Sequence, residues 1–176
     1  MIINDNSVEV LKKISSQSVN GGVTTPPYYN LRDYGVEGQI GQEKTPYQYI
    51  DTLVEVFREV KRTLKPDGTL WLNIADTYCS TAPGSMGDPY FIKECSTETN
   101  EARRKYRGAT PEGMKPKDLM GIPWMLAFAL REDGWYLRQD IIWHKPNPMP
   151  ESVKDRCTKS HEYIFLLSKS RKYYYD

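Results

Sequence analysis

Thr45–Ile74 reads TPYQYIDTLVEVFREVKRTLKPDGTLWLNI, and these 30 residues carry a helix, a turn and a strand in succession. Thr45 is a plausible N-cap, with Pro46 at the first helical position and Gln48 three residues after the cap. Ile50, Leu53, Val54, Phe57, Val60 and Leu64 then recur at helical spacing and define one apolar face. Lys65-Pro66-Asp67-Gly68 is expected to stop the helix before a β-prone run, Thr69–Ile74. Upstream, MII at the start and GGVTT at Gly21–Thr25 are two more short β-prone runs. Downstream, a second helix is expected from Pro123 to about Glu132, ended by Asp133-Gly134. A run containing Ile141, Ile142 and Trp143 follows, with Tyr163–Leu167 as its antiparallel partner. The pattern is α/β, a sheet closed by an antiparallel hairpin. From about 76 to 117 periodicity fails and Gly, Ser, Thr and charges mix, which marks a long loop insertion.

The chain has 176 residues, enough for one ordinary domain, and residues 1–176 are read as a single one. Its 24 Lys+Arg against 23 Asp+Glu leave a net charge of +1, so any contact with a polyanion must come from local patches. Hydrophobic content of 39% and charged content of 27% describe a globular chain. Leu119–Leu130, the longest largely apolar run without charge, is twelve residues long, against the roughly 20 that a membrane span requires. MIINDNSVEV lacks the basic lead and apolar core of a secretory signal, so a cytoplasmic location is the default expectation. Cys79, Cys95 and Cys157 are odd in number and widely spaced, which suits reduced thiols.

The string with chemistry in it is TTPPYYN, Thr24–Asn30, directly after a strand candidate. Two consecutive prolines remove two backbone donors and hold an extended shape, leaving carbonyl oxygens as acceptors. At the carboxyl end of a strand in an open α/β sheet, such a loop lies where these sheets bind ligands. The Thr25 hydroxyl and the carbonyls around Pro26 and Pro27 would accept hydrogens from an exocyclic amine, while Tyr28 offers a face for a planar base. A proline-rich turn with an aromatic plug is the alternative reading. Within the insertion, Arg103, Arg104, Lys105 and Arg107 surround Tyr106, a local patch suited to phosphates or simply a solvated charged turn. His144 and His161 are the only histidines, at no metal-ligating spacing, and no metal site is expected. Asp33, in LRDYG, is placed to hold the loop after TTPPYYN through backbone hydrogen bonds, or to face solvent.

TTPPYYN resembles motif IV of the amino-group DNA methyltransferases, Asp/Asn/Ser-Pro-Pro-Tyr/Phe, in the hydroxyl form common among N4-cytosine enzymes. IINDNSVEVLKKISSQSV, TLKPDGTLWLNIAD, GIPWMLAFALREDGW and IIWHKPNPMPESVKDRCTKSHEYIFLLSKS are similar to successive blocks of the β-type order. The resemblance implies a Rossmann-like S-adenosylmethionine-dependent methyltransferase sheet with an antiparallel hairpin. It implies catalytic roles for Thr25, Pro26, Pro27 and Tyr28, and contact with S-adenosylmethionine from Asp5 and Thr24. Trp143, Lys145 and Asn147 would meet the target base or the DNA, together with Arg103, Arg104, Lys105 and Arg107; a core position is the alternative for Trp143.

The implied activity is methyl transfer to the exocyclic amine of a flipped base in double-stranded DNA, cytosine N4 ahead of adenine N6. Thr25 stands where Ser is usual, and Gly21-Gly22 replace apolar residues, so a looser strand is expected there. The family's Phe-x-Gly-x-Gly cofactor segment is absent from the sequence, as is any GxGxxG. The sheet is therefore expected to be incomplete, lacking the cofactor-motif strands. A DNA-binding remnant, or a subunit completed by self-association or by a second chain with the cofactor motif, is the competing expectation.

Overall fold

The computed structural model describes residues 3, 5–79 and 113–176. In chain order the elements are α1 Ser7–Lys13, β1 Val19–Thr24, α2 Pro46–Thr63, β2 Leu64–Ile74, α3 Ile122–Glu132, β3 Tyr136–His144 and β4 His161–Ser168. The strands form one sheet in the order β1-β2-β4-β3. β1 runs parallel to β2, as the intervening helix α2 requires, while β2–β4 and β3–β4 are antiparallel. Of the five expected strand runs, four are strands; MII falls largely outside the described residues, and Ile3 is exposed.

The α2 start is the one its sequence dictates. Thr45 Oγ1 accepts from the Gln48 amide at 3.2 Å and Pro46 opens the first turn. Tyr49, Ile50, Leu53, Val54 and Phe57 form its buried face. Arg62 near its end donates to the Leu11 and Ile14 carbonyls at 2.7 and 2.9 Å, tying α1 to α2. The expected stop behaves differently. Leu64 already pairs with Val19, and pairing resumes at Thr69 opposite Gly21, so residues 65–68 form an excursion inside β2 against the single residue Asn20. Gly68 makes this possible: a Cβ there would sit 3.0 Å from the Asn20 carbonyl oxygen and 3.1 Å from Leu64 Cβ.

Leu70, Leu72 and Ile74 of β2 lie beside Leu167, Phe165 and Tyr163 of β4 on one face of the sheet, which α2 and α3 cover. Trp124 of α3 meets Phe165 and Tyr163 edge-on at 5.2 and 5.7 Å. Each such side chain removed from water contributes about 1.5–3 kcal/mol. On the opposite face Trp71 stacks with Tyr175 at 6.5 Å, and Arg138 donates to the Tyr173 hydroxyl at 3.3 Å. The tyrosines at the chain end are thus laid across the back of the sheet.

At Gly21-Gly22, where a looser strand is expected, the β1–β2 register shifts between Val19 and Gly21. A Cβ on Gly22 would come within 3.3 Å of Leu70 Cδ1, so the missing side chain lets Leu70 seat against β1. Most of the expected insertion, residues 80–112, lies outside the described residues, and the segments on either side of it are joined. Tyr78 bridges Leu119, and the Cys79 amide donates to the Asp118 carbonyl at 2.8 Å. Asp76, just past β2, accepts from the Gly121 and Ile122 amides at 3.1 and 3.0 Å and so supplies α3 with the cap that Gly121 cannot. Among the described residues no helix is long and apolar enough to cross a membrane.

Candidate active site

β1 delivers Thr25–Asn30 to the carboxyl end of the parallel pair, and the loop is then fastened at three points. The buried Tyr49 hydroxyl donates to the Pro27 carbonyl at 2.8 Å, and the Tyr49 and Tyr29 rings meet at 5.4 Å inside the core. Burial leads the causes that push the Tyr49 phenol far up, so it stays a donor. The Asn30 amide donates to the Gly41 carbonyl at 2.7 Å. Gly41 sits at φ +99°, where a Cβ would lie 3.1 Å from the Tyr28 carbonyl oxygen; only glycine fits this approach.

The third fastening is the Tyr28 phenol. It lies 2.9 Å from Glu162 Oε2 at the head of β4 and 3.1 Å from Asn73 Oδ1 near the end of β2. Burial, opposed by a hydrogen bond from the Thr25 hydroxyl and reinforced by Glu162, pushes Tyr28 up to about 12. Asn73 Nδ2 donates to the Tyr163 carbonyl at 3.1 Å, which fixes its oxygen toward the phenol. Glu162 also accepts from the Lys145 ammonium. Burial alone would raise the Glu162 carboxyl, but Lys145 and Tyr28 outweigh it and hold it below its ordinary value. Nearby, Lys159 Nζ donates to the Asp76 carbonyl at 2.6 Å, and burial lowers its ammonium.

A cleft of about 520 Å³ opens beside the loop. Asp5, Thr24, Thr25, Pro26 and Pro27 line it together with apolar residues of α1, β1 and α2, including Leu11 and Phe57. The structure therefore brings Asp5 and Thr24 to the same cavity as the acceptor loop. Within that set the Pro27 carbonyl already accepts from Tyr49, whereas the Pro26 carbonyl has no hydrogen-bond partner among the described residues.

Trp143 is 56% exposed, not core, and pairs in register with Glu162. Lys145 lies two residues further on and joins the network, whereas Asn147 is exposed. Arg103, Arg104, Lys105 and Arg107 lie outside the described residues. Asp33 does hold its loop, accepting from the Gly35 amide at 2.7 Å. Sequence reasoning missed Gly41, Tyr49, Asn73, Asp76 and Glu162. Two had a local signal: Tyr49 is the polar-tipped member of the stripe Tyr49, Leu53, Phe57, and Glu162 is a lone carboxylate opening an apolar strand.

The sequence profile of the N6/N4 methyltransferase family, described as DNA methylase, matches residues 19–176, and the chain belongs to that family. It is 56% identical over 176 residues to the type II methyltransferase M.SmaI of Serratia marcescens, covering 99% of this chain and 58% of that protein. Over 172 residues it is 55% identical to M.Cfr9I of Citrobacter freundii, covering 97% of this chain and 55% of that one. The chain thus spans a little over half the length of these relatives. Its fold matches the cytosine-N4-specific PvuII DNA methyltransferase with a TM-score of 0.63 at 18% identity, over 100% of this chain and 51% of that one. TTHA0409 of Thermus thermophilus, solved with S-adenosyl-L-methionine, matches with a TM-score of 0.60 at 23% identity, over 97% and 53% of the two chains. The four strands accordingly share the fold of part of the sheet in these two proteins.

Proposed function

We propose that this chain carries the amine-binding face of a DNA methyltransferase acting on a flipped base, with cytosine N4 preferred over adenine N6. The observation that carries the reading is the clamped loop. Thr25 Oγ1 and the Pro26 carbonyl are presented as acceptors at the end of β1, at the mouth of the cleft that Asp5 and Thr24 also line. An exocyclic amine is a weak nucleophile because its lone pair is delocalised into the ring. Two fixed acceptors for its hydrogens favour a more tetrahedral nitrogen and aim the lone pair, and such positioning accounts for much of the rate in transfer reactions.

The cleft suits S-adenosylmethionine. A carboxylate at Asp5 fits hydroxyl donors, the apolar wall from α1 and α2 fits a purine, and Thr24 adjoins the acceptor loop. Bound there, that cofactor supplies an electrophilic methyl group. A target amine inside a duplex is out of reach, so the base must leave the stack, and Tyr28 provides the ring on which it rests. Trp143, Lys145 and Asn147 border the same end of the sheet and would meet base or backbone. The hydroxyl at Thr25 underlies the preference for cytosine.

A second reading is favoured by one observation, the absence of a Phe-x-Gly-x-Gly or GxGxxG string from the 176 residues. It makes the chain a DNA-binding part whose catalysis needs a partner, or a second copy, supplying the cofactor motif. Incubation of purified chain with unmethylated DNA and isotopically labelled S-adenosylmethionine, followed by mass spectrometry of nucleosides, separates the two. Labelled N4-methylcytosine supports the first reading and its preference, and labelled N6-methyladenine overturns the preference alone. No labelled product from folded chain supports the second.

A further inference from the structure

We infer that Glu162 is a positioning residue that couples the Tyr28 ring to the Lys145 ammonium, so that the base-stacking face and the DNA-facing charge are set by one carboxylate. The inference rests on the reading above and extends it to a residue outside the acceptor motif. Its basis is geometric. Tyr28 leaves a loop at the end of β1, Lys145 follows β3, and Glu162 opens β4, so three separate strand ends converge on one side chain.

The Tyr28 phenol has two acceptors but one hydrogen. An ionised carboxylate accepts more strongly than an amide oxygen, so at 2.9 Å Glu162 takes that hydrogen, while Asn73, at 3.1 Å, flanks the phenol oxygen. Anchoring the far end of a tyrosine fixes the axis along which its ring lies, and so holds the ring at the place where a flipped base would lie against it. The other oxygen of Glu162 directs Lys145. The Lys145 backbone is already fixed, its amide donating to the Ser160 carbonyl at 2.7 Å, so only the flexible side chain remains to be aimed. The Glu162 side chain is 16% exposed against 44% for Lys145, which makes the carboxylate the anchored member and the ammonium the one that reaches outward. Trp143, opposite Glu162 in register, places an exposed aromatic beside the pair.

The test uses Glu162→Ala, Glu162→Gln, Tyr28→Phe, Lys145→Met and the Tyr28→Phe/Glu162→Ala double variant of the chain, with tyrosine ring-labelled for NMR. The Tyr28 signal is assigned by its loss in Tyr28→Phe. In Glu162→Ala the Tyr28 ring signal should move while the other tyrosines and the melting temperature hold. Glu162→Gln keeps an acceptor and should restore most of the ring position but not the response to Lys145→Met. Methyl transfer to DNA should lose about 10-fold or more in kcat in Glu162→Ala, with KM for S-adenosylmethionine within about 2-fold. The double variant should be no slower than Glu162→Ala, because residues acting as a unit are not additive.

An unmoved Tyr28 signal in Glu162→Ala, unchanged kcat, or additive losses would overturn the inference. If the unsubstituted chain methylates nothing, the catalytic reading fails separately and the ring signals still decide the coupling. If Glu162→Ala does not fold, the same comparison is made with Glu162→Gln, where a Tyr28 signal still responsive to Lys145→Met counts against it.

Discussion

Residues 25–30 and residues 145–160 reach the same carboxylate, Glu162, from two different strand ends, and they are built on different terms. In the first, Pro26 and Tyr29 are buried, and the backbone is bound to Tyr49 and Gly41. The second carries Pro146, Pro148 and Pro150, is mostly exposed, and is held by side-chain charge: Lys117 to Asp155 at 2.7 Å, and Arg156 lying 3.8 Å over the Tyr78 ring. Acceptors that must orient an amine need positions fixed by the core. On the proposed reading residues 145–160 would meet phosphate, which calls for charge and reach, and exposed ion pairs of about 0–1 kcal/mol suffice to shape such a surface.

The sharpest way to break this contrast is at Tyr49. Tyr49→Ala should cost about 3–5 kcal/mol in denaturant unfolding, whereas Tyr49→Phe should cost about 1 kcal/mol, the worth of one hydrogen bond. Methyl transfer by Tyr49→Phe should nonetheless fall more than its stability does, because the Pro27 carbonyl is released. If Tyr49→Phe keeps full activity, the clamp is not what fixes the acceptors. Next in size, Tyr28→Ala should weaken target-base engagement by about 1–3 kcal/mol in titrations with DNA, the scale of one base–aromatic stack.

A smaller effect is expected from pH. Glu162 is held below its ordinary value, near 4.5, when folded, so its contribution to stability is complete above that value and is lost as pH falls through the lowered one. Acid unfolding curves should therefore be steeper below that value for the unsubstituted chain than for Glu162→Gln, and parallel at neutral pH. Identical curves in acid would show that the pair with Lys145 adds nothing to folding. Smallest of all, Lys154→Ala, in the exposed loop, should change stability by less than about 0.5 kcal/mol. If Lys154 meets phosphate, the salt dependence of DNA binding should flatten by about one unit of slope in that variant.

How much of this is legible in the sequence follows from how far apart the partners are along it. The cap at Thr45, the stripe on α2 and the 122–132 helix are dictated by neighbours within a few residues and can be read nearly to the residue, while the β3–β4 pair can be read as a pair but not in its full extent, since β3 begins at Tyr136. The segment 65–68 reads as a turn, correctly for its chemistry, but its position inside a strand depends on Asn20 across the sheet. The acceptor loop is visible because its prolines constrain the backbone locally. Its fastenings are not. Tyr28 and Glu162 are 134 positions apart, and Tyr49 and Pro27 are 22 apart, so no spacing rule joins them. Gly41 depends on an approach to the Tyr28 carbonyl that only the folded chain reveals.

The bridge at Tyr78–Leu119, with Cys79 bonded to Asp118 and Asp76 capping α3, brings the chain back to where it left. Strand β2 and helix α3 are thereby joined as if by a hairpin, whatever is spliced between residues 79 and 117. The registration of β2 against α3, and with it the position of the loop at residues 25–30, is thus set by contacts outside residues 80–112.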